Sequence, residues 1–118
     1  MQQKVNHISY LSVVILDLSL LADKANADIC VLPEGAEVLD ISLEVLTPAP
    51  ATSVATLSFD GKEFLSGVDI ATQTTHRSAS VTTLKKTGIL KGNFTGDSGE
   101  VKVRVHYFLP SKILAEYV

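Results

Sequence analysis

The chain has 118 residues, a formal net charge of -3, 46% hydrophobic and 19% charged residues, one Cys and no Trp. That length supports one hydrophobic core, and ten Lys plus Arg spread along an acidic chain leave no electrostatic footprint for nucleic acid. The lone Cys30 excludes an intrachain disulfide, and no apolar run reaches the ~20 residues of a membrane-spanning helix.

Val, Ile and Thr make up about a quarter of the sequence, a composition that suits pleated strands better than helices. Residues 1–8 are polar and predict a flexible N-terminal arm. Residues 9–21 form an apolar run. Leu11, Val13 and Ile15 fall on one face, and Tyr10, Val14, Leu16, Leu18 and Leu20 on the other. Two greasy faces predict a strand covered on both sides, or covered by a neighbouring subunit. Lys4 ahead of this run and Ala25-Asn26-Ala27 after it imitate a secretory signal, but Asp17 interrupts the run and its alternation favours an intact strand. Residues 23–28 read as a turn, 28–32 as a short strand, and Pro33-Glu34-Gly35 as a second turn.

Residues 37–47 alternate cleanly, with Leu39, Ile41, Leu43 and Val45 opposite Asp40, Ser42 and Glu44, which predicts a half-buried strand. Pro48 and Pro50 end it. Residues 53–59 predict a strand closed by the tight-turn pair Asp60-Gly61. Residues 62–70 suit either a strand or a crossing loop, and residues 71–80 read as a polar surface loop. Short strands are expected at 81–84 and 89–94. A clear one spans 100–108, with Val101, Val103, Val105 and Tyr107 opposite Lys102, Arg104 and His106. The tail, 111–118, suits one helical turn or an extended segment. The sum is an all-β, jelly-roll-like antiparallel β-sandwich of seven or eight short strands over residues 9–110.

No constellation for chemistry emerges. His7, His76 and His106 have no metal-ligand spacing. Asp60, Glu63 and Asp69 read as turn and edge residues, and Ser98 has no nucleophile elbow around it. The prediction is a protein without enzymatic activity, metal or cofactor. Its apolar excess, continued by Leu109, Ile113, Leu114, Tyr117 and Val118, points instead to a homo-oligomer.

Leu32-Pro33-Glu34-Gly35-Ala36-Glu37-Val38 leading into the alternating 39–45 strand resembles a strand opening in small β-sandwich structural proteins of tailed bacteriophages. Thr47-Pro48-Ala49, Ser53-Val54-Ala55-Thr56-Leu57 and Asp60-Gly61 follow the same pattern. The closing Gly96-Asp97-Ser98-Gly99-Glu100-Val101-Lys102-Val103-Arg104-Val105-His106-Tyr107 is similar to that group's last strand. The likeness spans residues 28–107 and is nearest to capsid decoration (cement) proteins.

That resemblance implies a protein of the virion, made in the host cytoplasm, that binds the outer surface of the head as a homotrimer and bridges major capsid subunits. It implies no catalytic residues, nucleic-acid partner or membrane. On it, Gln2, Lys4, His7, Thr74, His76 and Arg77 are expected to contact the capsid. Leu16, Leu18, Leu20, Ile113, Leu114 and Tyr117 are expected to pack subunits together. The competing expectations are a phage tail or head-completion protein, and a secreted carbohydrate-binding or adhesive β-sandwich. The last would need exposed aromatic residues on one face, and the chain has three Tyr and four Phe, mostly at strand positions.

Overall fold

The structure, a computed structural model, describes residues 2–78, 80–109 and 114–116, the segments 2–4 and 114–116 through their backbone. Eleven strands are present among the described residues: β1 (Gln2–Lys4), β2 (Ser9–Asp17), β3 (Ala27–Leu32), β4 (Glu37–Thr47), β5 (Val54–Phe59), β6 (Lys62–Asp69), β7 (Thr75–Arg77), β8 (Thr82–Thr83), β9 (Gly88–Phe94), β10 (Glu100–Phe108) and β11 (Leu114–Glu116). All the pairings are antiparallel. One sheet runs β2-β10-β4-β7, with β8 also on β4, and the second runs β3-β9-β5-β6. This is an all-β, sandwich-like fold with more strands than the seven or eight expected. The surplus comes from three-residue pieces: β1 in the expected arm, β7 in the expected 71–80 loop and β11 in the tail.

The core lies between the two sheets. Val101, Val103 and Val105 of β10 and Val38, Ile41, Leu43 and Val45 of β4 face Ala55 and Leu57 of β5, Leu90 and Phe94 of β9, and Leu32 of β3. Burial of such side chains contributes about 1.5–3 kcal/mol each, which makes this layer the main source of stability.

The pairing of β4 with β10 shifts register near both of its ends, and the shift at the start of β4 breaks the clean alternation expected of residues 37–47. A register shift opposite His106 and Tyr107 pairs them with Asp40 and Val38 and leaves Leu39 as the extra residue. Leu39 is therefore 40% exposed while Val38 is buried, the reverse of simple alternation, because a bulge flips the phase of every residue before it. The Asp60-Gly61 turn forms as expected, with positive φ at both residues (50° and 81°), which fits the right-handed twist of the β5-β6 hairpin.

The apolar run of residues 9–21 is not one strand. β2 stops at Asp17, whose carboxylate accepts hydrogen bonds from the backbone N–H and the hydroxyl of Ser19 and caps a 3-10 turn, Leu18–Leu20. Leu18 is anchored by its N–H to the Gly99 carbonyl at 2.9 Å. A second 3-10 turn, Lys24–Asn26, is capped by Asp23 where a plain turn is expected.

Residues 62–70 resolve as strand β6. The 71–80 segment is not wholly a loop, since β7 pairs with Ser42, Leu43 and Glu44 of β4. The N-terminal and C-terminal segments meet in a ribbon in which Gln2, Gln3 and Lys4 pair with Glu116, Ala115 and Leu114. The tail is thus extended at residues 114–116. The molecule measures 58 × 24 × 20 Å. β10 accounts for ~30 Å of an axis along the strands, and the ribbon leaves from the end where β2 begins and β10 finishes.

Candidate assembly surface

The register of β2, β10 and β4 sorts the outer face of the larger sheet into columns. Leu11, Val13 and Ile15 stand beside His106, Arg104 and Lys102, which stand beside Asp40, Ser42 and Glu44. An apolar column, a basic column and an acidic column therefore run parallel. Arg104 Nη2 reaches Glu44 Oε1 at 2.8 Å, and Arg77 Nη2 reaches Asp40 Oδ2 at 2.7 Å. Such exposed pairs contribute at most about 1 kcal/mol each, so they set the pattern of the face more than its stability. At the ribbon end the same face carries a shallow groove lined by Asn6, Glu37, Leu39 and Phe108.

The apolar column is open to solvent: Leu11 is 59%, Val13 48% and Ile15 56% exposed. β2 is also the outermost strand of its sheet, and its pairing with β10 runs from Ser9 to Asp17 without a register shift. On the other side of β2, Val14 and Leu16 turn to the core, and Tyr10 stacks on Tyr107 with ring centroids 5.9 Å apart. A second, smaller apolar pair, Val31 and Ile89, lies across the β3-β9 pairing.

These positions correct the expected subunit contacts. Leu16 and Leu18 lie in the protein's own core, because parity along β2 and the 3-10 turn point them inward. Leu20 is 80% exposed but lies at the end opposite the ribbon that holds Leu114. Ile113 and Tyr117 lie outside the described residues. The exposed aliphatic residues of β2 are those of the opposite parity, Leu11, Val13 and Ile15, while Tyr10 is half exposed at the strand's start. Periodicity separates the two sets but does not say which one the second sheet covers.

The residues expected at a capsid contact fall in two places. Gln2 and Lys4 belong to the ribbon and His7 to its base, while Thr74, His76 and Arg77 lie on the far edge of the larger sheet. There the Thr74 carbonyl accepts from Val45 N–H at 2.9 Å, and His76 Nε2 lies 2.7 Å from the Asp69 carbonyl. The fold does not bring the two groups together.

Titratable groups serve the loops. Asp17 is held below its ordinary value of 3.8 by the Ser19 hydroxyl and N–H, Asp69 by the Ala71 N–H and then Thr72, and Asp97 by Lys24 at 2.5 Å. A carboxyl whose pKa is lowered by folding adds stability that is fully present above its unfolded pKa and is lost as pH falls through the folded one. The expected result is that the carboxyl titrations of these three residues, followed by NMR, have midpoints below 3.8, with their part of the stability intact at neutral pH. Midpoints at or above that value would contradict the capping geometry. Cys30 is half-buried, and desolvation pushes its thiol up, outweighing a hydrogen bond with Ser12. It behaves as a small apolar residue. Among the described residues, no group of three or more His, Cys, Asp or Glu is placed to hold a metal ion.

No family model matches the chain, and no curated protein matches it. A solved structure does: a chain from the acid-stable capsid structure of the Helicobacter pylori bacteriophage KHP30, 29% identical, with a TM-score of 0.71 over 99% of this chain and 100% of that one. The likeness runs end to end and includes the terminal segments outside the sandwich. The chain is thus similar in fold, and over its whole length, to a chain of a bacteriophage capsid structure.

Proposed function

We propose that this protein decorates the outer surface of a phage head as a homotrimer and bridges neighbouring major capsid subunits, stabilising the shell. The observation that carries the reading is the end-to-end likeness to a phage capsid chain, joined to a surface that offers patterned contact faces.

The physics suits a clamp. A sheet scaffold buries its core within one copy, and its extended terminal ribbon reaches beyond the sandwich toward a neighbour. Several modest contacts made by one oligomer act together at high effective concentration, so each strengthens the rest. On this reading the ribbon, with Gln2 and Lys4, and His7 at its base meet one capsid subunit. Thr74, His76 and Arg77, at the far sheet edge, meet another. The separation of the two groups is what a bridge between subunits requires. Leu20, Leu114, Ile113 and Tyr117 remain the candidates for packing the trimer.

The test is to mix the purified protein with heads assembled without it, then pellet the heads and measure their rupture temperature. Stoichiometric co-sedimentation with a raised rupture temperature is expected. Protein left in the supernatant, or found on tails alone, would overturn the proposal. If it binds, Thr74→Ala/Arg77→Ala should reduce the bound fraction about tenfold, the loss of one or two charge-assisted contacts. An unchanged fraction would remove the sheet edge from the contact.

A further inference from the structure

We infer that β2 is a docking edge for a second copy of this chain, pairing antiparallel with its own symmetry mate about a two-fold axis through Val13. The inference goes beyond the decoration reading and does not need it. If the protein does sit on heads as a trimer, this contact joins one trimer to the next.

The first argument compares the edges of the two large sheets. An exposed edge strand is a template for unwanted pairing, and proteins blunt such edges with short strands, bulges and charges. Three of these edges are blunted. The far edge of the larger sheet is split into β7 and β8, of three and two residues. β3 is interrupted by a bulge between Asp28 and Cys30. β6 carries Lys62 and Glu63 and two register shifts against β5. β2 has none of these devices except a single charge, Asp17 at its end. It is nine residues long, paired without a shift on its inner side, and free of Pro, Gly and Lys.

The second argument is charge. Between Ser9 and Leu16 the strand carries no ionisable group except the Tyr10 phenol. A two-fold pairing centred on Val13 sets Leu11 opposite Ile15 of the second copy and Val13 opposite Val13. It sets the one acid, Asp17, opposite Ser9. No like charges meet, whereas directly opposed like charges destabilise a strand pair. The basic columns of the two copies end up on either side of a shared apolar stripe, with two strands between them.

Area sets the strength. One strand pair with three half-exposed side chains from each copy buries well under the ~800 Å² per partner of a standard stable interface. Free copies therefore pair weakly, and pairing becomes strong where copies are held side by side.

The test is crosslinking of the whole protein in a Cys30→Ser background. Val13→Cys places the two thiols opposite each other at the axis, and Ser98→Cys, on an exposed turn assigned to no contact, serves as the control for random collision. At high protein concentration a short bis-maleimide is expected to give a two-chain band on a denaturing gel for Val13→Cys, at least about tenfold above the control. Adding Leu11→Lys with Ile15→Glu to the Val13→Cys chain sets opposite charges against each other across the axis and should preserve the band. Adding Leu11→Lys with Ile15→Lys should reduce it about tenfold, through two opposed like-charge pairs and the lost apolar contact. A Val13→Cys band no stronger than the control, equal loss in both charge variants, or capture of a capsid subunit in place of a second copy would overturn the inference. Circular dichroism of each variant, unchanged from the parent, separates loss of pairing from loss of fold. Failure here leaves the head-binding experiment untouched, and failure there leaves this one intact.

Discussion

Leu43→Ala is expected to cost about 3 kcal/mol of stability, within the range measured for truncating a fully buried leucine, and to lower the melting temperature by about 10 °C or more. Leu43 lies in β4, between β10 and β7, pairs with Val103, and is fully buried among residues of both sheets. Removing three carbons there leaves a void that two hydrogen-bonded sheets cannot close without breaking register. The companion substitution makes the test specific. Leu39→Ala, four residues earlier and on the same face by simple alternation, is expected to cost less than about 1 kcal/mol, because the bulge leaves Leu39 partly exposed. Denaturant titration of both variants checks the pair, and equal costs would remove the bulge from the account.

The second large effect is expected at Gly99. Its φ is +117°, outside the regions open to a residue with a Cβ, and a Cβ there would lie 3.0 Å from the Thr47 carbonyl oxygen and 3.1 Å from the Ala49 backbone. These neighbours are main-chain atoms at the end of β4, so no side-chain rotation relieves the clash. Gly99→Ala is expected to cost about 2–4 kcal/mol, the strain of a disallowed backbone plus overpacking. The effect reaches further than the turn, since the Gly99 carbonyl accepts the hydrogen bond that anchors Leu18. Gly61 is the contrast. Its φ is +81° but a Cβ there meets nothing within 4 Å, and Asn tolerates the left-handed region, so Gly61→Asn is expected to cost less than about 1 kcal/mol. Thermal melts of the two variants decide it, and a Gly99→Ala variant as stable as Gly61→Asn would contradict the close approach.

The strands best read from sequence are those whose physics is local. Residues 37–47 and 100–108 coincide with β4 and β10 as expected, because period-two alternation bounded by Pro or Gly leaves a strand little alternative. The Asp60-Gly61 turn is local in the same sense. The short piece β7 was illegible because only pairing with β4 makes it a strand, whereas β8 falls within the short strand expected at 81–84. The bulge at Leu39 was equally hidden, since it is a relation between two strands and leaves no mark in either one alone.

The candidate surface divides along the same line. Alternation from Tyr10 to Leu16 determined that two apolar sets exist on opposite faces. The tertiary structure alone decided which set is exposed. The second sheet covers Val14 and Leu16, the Asp17 cap turns Leu18 inward, and β2 is left at the edge with Leu11, Val13 and Ile15 uncovered. A strand's periodicity depends on its own residues. Which face is covered, and which strand is outermost, depends on the second sheet and on β10, which other parts of the chain supply.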